Sequence, residues 1–190
     1  MLKSGEVLAF KTDTVWGFGC DPLDEIAVNK IYEIKKRDLK KPLILMSDNF
    51  DSLKKYISFI PSYAHNLIEK YLPGALTLIF EKSDFCPNTI TSNGNTIGIR
   101  IPNSEDFRKI ISQIEDKVLA TTSCNIAGEA PVMNYKEAKE KFEQFATIIE
   151  PIQDKENENI PSTVILCEKD NYKILRQGAI KLWKKHSFYQ

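Results

Sequence analysis

The chain has 190 residues, 42% of them hydrophobic and 27% charged, a size and balance suited to one folded domain with its own core. Its 26 basic and 26 acidic side chains cancel to a formal net charge of zero, which argues against a broad basic surface built to grip nucleic acid. Four scattered cysteines with no C-x-x-C pair, and two distant histidines, exclude a zinc ribbon, a redox motif, a histidine metal site and a Ser-His-Asp triad.

In chain order, residues 6–11 (EVLAFK) read as a buried strand that empties into a polar turn, TDTVWGFGCDP. Asp24 is placed to cap a helix whose apolar spacing runs over residues 26–37. Residues 42–46 read as a strand, 48–57 and 61–72 as two short helices, and 75–81 as a strand after the Pro73-Gly74 break. Residues 96–101 (TIGIRI) form an apolar strand with Arg100 inside it. A capped amphipathic helix follows over 104–114. Residues 118–122 read as a strand running into SCNIAGEAP, then 135–145 as a helix and 146–150 as a strand. Residues 154–159 are a charged loop, 162–167 and 172–175 are closing strands, and 179–185 a last helix. This alternation predicts an α/β domain over residues 1–190 with a twisted, mixed parallel and antiparallel sheet and flanking helices. No signal segment is visible, and no apolar run nears the roughly 20 residues of a membrane helix. The expectation is a cytoplasmic protein with no membrane contact and its thiols buried.

Neither G-x-x-x-x-G-K-[ST] nor G-x-G-x-x-G occurs, so a nucleotide would have to be held by other means. Basic residues at element ends offer one. Lys35 and Arg37 form K-x-R where the first helix ends, Arg100 lies within a strand, and Arg176 ends the strand YKIL. A buried arginine is costly unless an anion satisfies it, and its fork suits phosphates and carboxylates. Each has a structural reading too. Lys35 and Arg37 suit a helix C-terminus, and Arg100 could pair with an internal carboxylate. Hydroxyl and amide clusters stand at three strand edges: Thr12-Asp13-Thr14, Thr121 to Asn125, and Ser162-Thr163. They could cap and turn the chain, or cradle a small ligand at strand ends.

The segments KTDTVWGFGCDP, KKRDLKKPLIL, LPGALTLI, GIRIPN, TTSCNIAGEAP, STVI and ILRQGAI, in that order over residues 5–180, resemble the YrdC-like threonylcarbamoyl-AMP synthases in their short, single-domain form. The resemblance implies a sheet with a wide concave cavity, and synthesis of threonylcarbamoyl-AMP and pyrophosphate from L-threonine, bicarbonate and ATP with Mg2+. The product would pass to a downstream tRNA threonylcarbamoyl transferase complex that modifies adenosine 37 of ANN-decoding tRNA; direct, weak tRNA binding is left open. The resemblance also assigns roles. Lys35 and Arg37 would be catalytic. Thr14, Arg100, Thr121 and Ser162 would line the threonine site. Arg37, Lys41, Thr96, Ser123, Asn125, Pro131 and Arg176 would line the nucleotide site. No residue is assigned to a protein-held metal. Departures from the family pattern are Lys11 for proline, Trp16 for tyrosine, Asp38 for proline, Cys124 for alanine, and Met46 where some relatives carry histidine. Two rivals stand beside this reading. One is a non-catalytic module for double-stranded RNA or ribosome maturation. The other is a carbamoyl-adenylate enzyme of hydrogenase maturation or antibiotic carbamoylation, whose relatives carry the fold within longer chains.

Overall fold

A computed structural model of the chain describes residues 2–154 and 160–182. Its elements, in order, are β1 (Leu8–Phe10), β2 (Gly17–Cys20), α1 (Glu25–Lys35), β3 (Ile44–Met46), α2 (Asp51–Lys54), β4 (Ile57–Phe59), α3 (Ser62–Tyr71), β5 (Leu76–Lys82), α4 (Asn88–Thr91), β6 (Thr96–Arg100), α5 (Glu105–Ile111), β7 (Leu119–Ser123), α6 (Tyr135–Phe142), β8 (Thr147–Ile148), β9 (Thr163–Cys167) and β10 (Tyr172–Arg176). The strands form one sheet in the order β10-β9-β5-β6-β3-β7-β2-β1-β8, with β4 against the free part of β5. Pairings β3–β6, β5–β9 and β1–β8 are parallel and the rest antiparallel. The sheet is therefore mixed, as expected.

Side chains alternate between faces along a strand, and partners in register share a face. One face carries Ala9, Phe18, Cys20, Leu45, Leu78, Phe80, Ile99, Ala120 and Ile165, all buried in the main core with α1, α3 and α6 residues. The other face is only partly covered. There, α5 lays Phe107, Ile110 and Ile111 over Leu8, Phe10, Met46 and Leu119. The helix starts cleanly because Ser104 Oγ accepts from Phe107 N at 3.2 Å, with Glu105 and Asp106 in the first turn. The same logic starts α1. Asp24 Oδ1 accepts from Ile26 N and Ala27 N at 2.9 and 3.1 Å, and its Oδ2 accepts from Gly5 N at 2.6 Å. Those bonds, the Gly5 one foremost, hold the Asp24 carboxyl below its ordinary value.

Several expectations are corrected. Residues 17–20 look like a turn because GFGC is half glycine, yet they form β2, paired on both sides by β1 and β7. Of the helix expected over 48–57 only α2 is helical, and Ile57 instead pairs with Lys82 to begin β4. The short helix α4 was not expected; it follows Pro87 and stops at Ser92 in the left-handed region. Residues 179–182 are not helical, and the remainder of the helix expected there lies outside the described residues, as does most of the 154–159 loop.

The turn after β10 is tied down tightly. Gly178 N donates to Thr163 Oγ1 at 2.9 Å and Ala179 N to Pro161 O at 3.0 Å. A Cβ at Gly178 would meet Pro161 O at 2.2 Å and the Ser162 carbonyl carbon at 2.5 Å. Both contacts are backbone, which cannot swing aside. Gly178→Ala should lower unfolding free energy by about 3 kcal/mol in urea titration; a loss under about 0.5 kcal/mol would show that the turn is loose.

Candidate functional site

One sheet face carries Thr96, Arg100, Thr121, Ser123 and Arg176 of the expected residues. Arg100 is in register with Met46, and Ile44 with both Gly98 and Thr121. Thr96, Gly98 and Arg100 therefore share a face with Thr121 and Ser123. Thr77 and Arg176 both register with Val164, and Ile79 with Gly98, so they lie on that face too. Gly98 keeps its centre low: a Cβ there would stand 2.8 Å from Ile44 Cγ2 and 3.5 Å from Thr77 Cγ2.

Arg100 is the charged centre, only 2% exposed. Its Nε donates to Gly74 O at 3.1 Å, Nη1 to Thr14 Oγ1 at 2.6 Å and Nη2 to Asp13 Oδ1 at 2.6 Å. The Asp13 side chain is itself only 16% exposed. The internal ion pair left open by the sequence thus exists. Together the three bonds use three of the five guanidinium hydrogens. Burial pulls the Arg100 guanidinium below its ordinary value, Asp13 opposes that, and Arg176 adds to the depression.

Arg176 reaches the same floor from the sheet edge. Its Nε and Nη2 donate to Ser162 O at 3.1 and 2.9 Å, and Nη2 to Ser162 Oγ at 3.3 Å. Ser162 Oγ also lies 2.8 Å from Thr77 Oγ1. Among the described residues Asp13 is the one carboxylate bonded to either arginine. Two guanidiniums with one counter-ion leave a positive excess, which a carboxylate or phosphate neutralises through directed hydrogen bonds.

A second group forms where α1 ends against the turn after β7. Lys35 is 1% exposed. Its Nζ donates to Ser123 O, to Asn125 O at 2.9 Å and to Asn125 Oδ1 at 2.7 Å, with Ser123 Oγ at 3.5 Å. Ser123 Oγ donates to Asn125 Oδ1 at 2.6 Å, and Asn125 Nδ2 to the Ile126 and Glu129 carbonyls at 2.9 and 2.8 Å. The helix-dipole reading of Lys35 is thus too weak: its ammonium is a peg that shapes the 123–129 turn. Residues 12–16 join this group to Arg100, since Thr14 bonds the arginine and Trp16 O accepts from Cys124 N at 2.8 Å.

Arg37 follows, after Lys36 ends α1 in the left-handed region. It folds back on its own loop, Nε to Lys41 O at 3.1 Å and Nη2 to Pro42 O at 3.0 Å. Burial lowers its pKa from the ordinary value. Thr121 Oγ1 donates to Ile44 O at 3.3 Å. The Lys41 and Thr96 residues are exposed and Pro131 is half-buried. Asp13 and Thr77 are the participants missing from the residues expected in the site. Asp13 was visible between two threonines; Thr77, inside the apolar run ALTLIFE, carried no signal.

Two hollows lie elsewhere, beside β8. One, about 370 Å³, has Lys30, Tyr135, Lys139 and Glu143 in its wall. The other, about 260 Å³, has Asp106, Lys109 and Gln113. Neither includes a residue of the candidate site. No helix among the described residues is long and apolar enough to cross a membrane.

A Sua5/YciO/YrdC family model, described as "Telomere recombination", matches residues 1–178. The chain is 34% identical over 184 residues to a putative threonylcarbamoyl-AMP synthase of Methanocaldococcus jannaschii, covering 96% of this chain and 84% of that protein. It is 32% identical over 182 residues to a threonylcarbamoyl-AMP synthase of Pyrococcus abyssi, covering 95% of this chain. The chain spans about half the length of that relative (53%). The crystal structure of Pyrococcus abyssi Sua5 complexed with L-threonine superposes with a TM-score of 0.84 at 33% identity, over 92% of this chain and 51% of that one.

The buried Lys35 yields a stability test. Burial foremost, with Arg37 beside it, brings its pKa down to about 8 from 10.5. Between those values the folded chain binds fewer protons than the unfolded chain, so unfolding free energy rises with pH through that window. The gain, measured as wild type minus Lys35→Met from pH 7 to 10, should reach at most roughly 3 kcal/mol. A flat difference would show that the surrounding oxygens keep the ammonium protonated throughout.

Proposed function

The chain belongs to the Sua5/YciO/YrdC family, and from that premise we propose that it joins L-threonine, bicarbonate and ATP into threonylcarbamoyl-adenylate. The observation that carries this reading is the pair of arginines on one sheet face, Arg100 and Arg176, with Asp13 on Arg100 as the single carboxylate bonded to either among the described residues, and the hydroxyls of Thr14 and Ser162 beside them. An amino acid offers such a place a carboxylate for the spare guanidinium hydrogens and a hydroxyl for the neighbouring oxygens.

In the proposed reaction the threonine amine and bicarbonate condense to a carbamate with loss of water. A carbamate oxygen attacks the α-phosphorus of ATP, and the bond to the β-phosphate bridging oxygen breaks to release pyrophosphate. This chemistry needs no protein nucleophile; it needs positioning and neutralisation of developing charge. Arg100 holds the threonine carboxylate. Arg37 exchanges its two loop carbonyls for phosphate oxygens, and Arg176 and Ser123 steady the nucleotide with Lys41, Thr96 and Pro131. Lys35 acts through the Ser123–Asn125 turn, because its own donors are already taken. Thr121, bonded to Ile44, shapes the floor. Magnesium would arrive on the ATP phosphates, which suits a site whose polar groups are mainly donors. The product would pass, in the cytoplasm, to the transferase complex that modifies tRNA.

Pyrophosphate release should require L-threonine as well as ATP, magnesium and bicarbonate; release that ignores threonine would count against the assignment. Arg37→Ala, on an open loop, should lower kcat about a hundredfold or more with little change in stability. Arg100→Lys keeps a charge but loses the fork, and should raise the KM for threonine well above any change in the KM for ATP. Wild-type kinetics in both variants would break the site as drawn.

A further inference from the structure

Thr77 has no role in the site as expected from sequence, yet its hydroxyl sets what Ser162 can do. Thr77 is 2% exposed and Ser162 5% exposed. Among the described residues, Thr77 Oγ1 has one side-chain hydrogen bond, the 2.8 Å contact with Ser162 Oγ. Either oxygen could donate across it. With Ser162 as donor the leftover proton would belong to Thr77, the more deeply buried of the two; with Thr77 as donor it belongs to Ser162 and is available to a ligand. Arg176 Nη2 also points at Ser162 Oγ, at 3.3 Å. An sp³ hydroxyl oxygen has two lone pairs; with Thr77 as donor, Thr77 and Arg176 fill both, and the remaining direction carries the Ser162 proton.

We propose that Thr77 is a positioning residue which makes Ser162 an obligate hydrogen-bond donor, aimed at a carboxylate or hydroxyl oxygen of the amino-acid substrate. Two features of the floor hold the Ser162 main chain in place. Arg176 clamps the Ser162 carbonyl through Nε and Nη2 at 3.1 and 2.9 Å, fixing its main chain. Thr163 next door is anchored through Oγ1 to Ile180 O at 2.6 Å and to Gly178 N at 2.9 Å. Without the Thr77 proton, Ser162 can turn its own hydrogen into the floor and present a lone pair to the substrate, which repels an oxygen there.

This inference rests on the threonine-dependent reaction proposed above, and its test separates the two. Steady-state pyrophosphate release is measured for wild type, Thr77→Val, Thr77→Ser, Ser162→Ala and the Thr77→Val/Ser162→Ala double variant. Thr77→Val, nearly isosteric but without the donor, should raise the KM for threonine about tenfold and leave the KM for ATP within twofold. Thr77→Ser should restore the threonine KM. In the Ser162→Ala background, Thr77→Val should add nothing, because the group it orients is gone. Equal rises in both KM values, no rise with Thr77→Val, or a full additional loss in the double variant would each overturn the proposal. If Thr77→Val does not fold, Thr77→Ala removes the same donor and is compared with Thr77→Ser. A wild type that shows no threonine dependence would instead sink the reaction and leave the variants without effect on it.

Discussion

A guanidinium buried in the middle of a β-sheet is the constraint around which the molecule is arranged. Arg100 sits at the end of β6 with 2% exposure, where a lone charge would cost several kcal/mol. The fold answers with three acceptors from distant stretches: Asp13 and Thr14 before β2, and the Gly74 carbonyl ahead of β5. These partners lie 26 to 87 positions away in sequence, so the pair forms only once the sheet has assembled. The compensation is incomplete, because Arg176 approaches the same floor with no carboxylate of its own among the described residues. That residual charge is the basis for proposing an anionic substrate at this floor.

The second group, around Lys35, solves a different problem. The turn after β7 must hold Ser123 and Asn125 in place although it is rich in residues that favour irregular backbone. Lys35 does this from inside, reaching from the last turn of α1 to carbonyl and side-chain oxygens of both residues. Removing it would leave several buried acceptors unpaired at once. The same helix end then delivers Arg37 onto the following loop, whose carbonyls it holds. One helix terminus therefore sets a buried ammonium and a loop-bound guanidinium two residues apart.

How far this could be read from the amino-acid order depends on the range of each interaction. Caps and periodicity are local, so α1 with Asp24 and α5 with Ser104 were legible. The K-x-R pair at the end of α1 and the arginine inside β6 were legible as positions in the fold, and the resemblance of seven ordered segments placed the family. What stayed hidden was non-local. β2 exists because two neighbours pair with its glycines, and β4 because β5 offers Ile57 a free edge. Whether Arg100 faced an internal carboxylate or a ligand was undecidable from one strand; the hydrogen bond to Asp13 shows the first. Thr77 was invisible for the same reason, since its partner lies 85 residues on.

The central claim is that this floor recognises the carboxylate of threonine. Calorimetric titration of the protein with L-threonine and with L-threoninol, which keeps the amine, hydroxyl and methyl but lacks the carboxylate, tests it directly. The account predicts measurable binding of threonine and at least a hundredfold weaker binding of threoninol. Equal affinity for the two compounds would mean that the arginines of the sheet face do not read the carboxylate, and would contradict it.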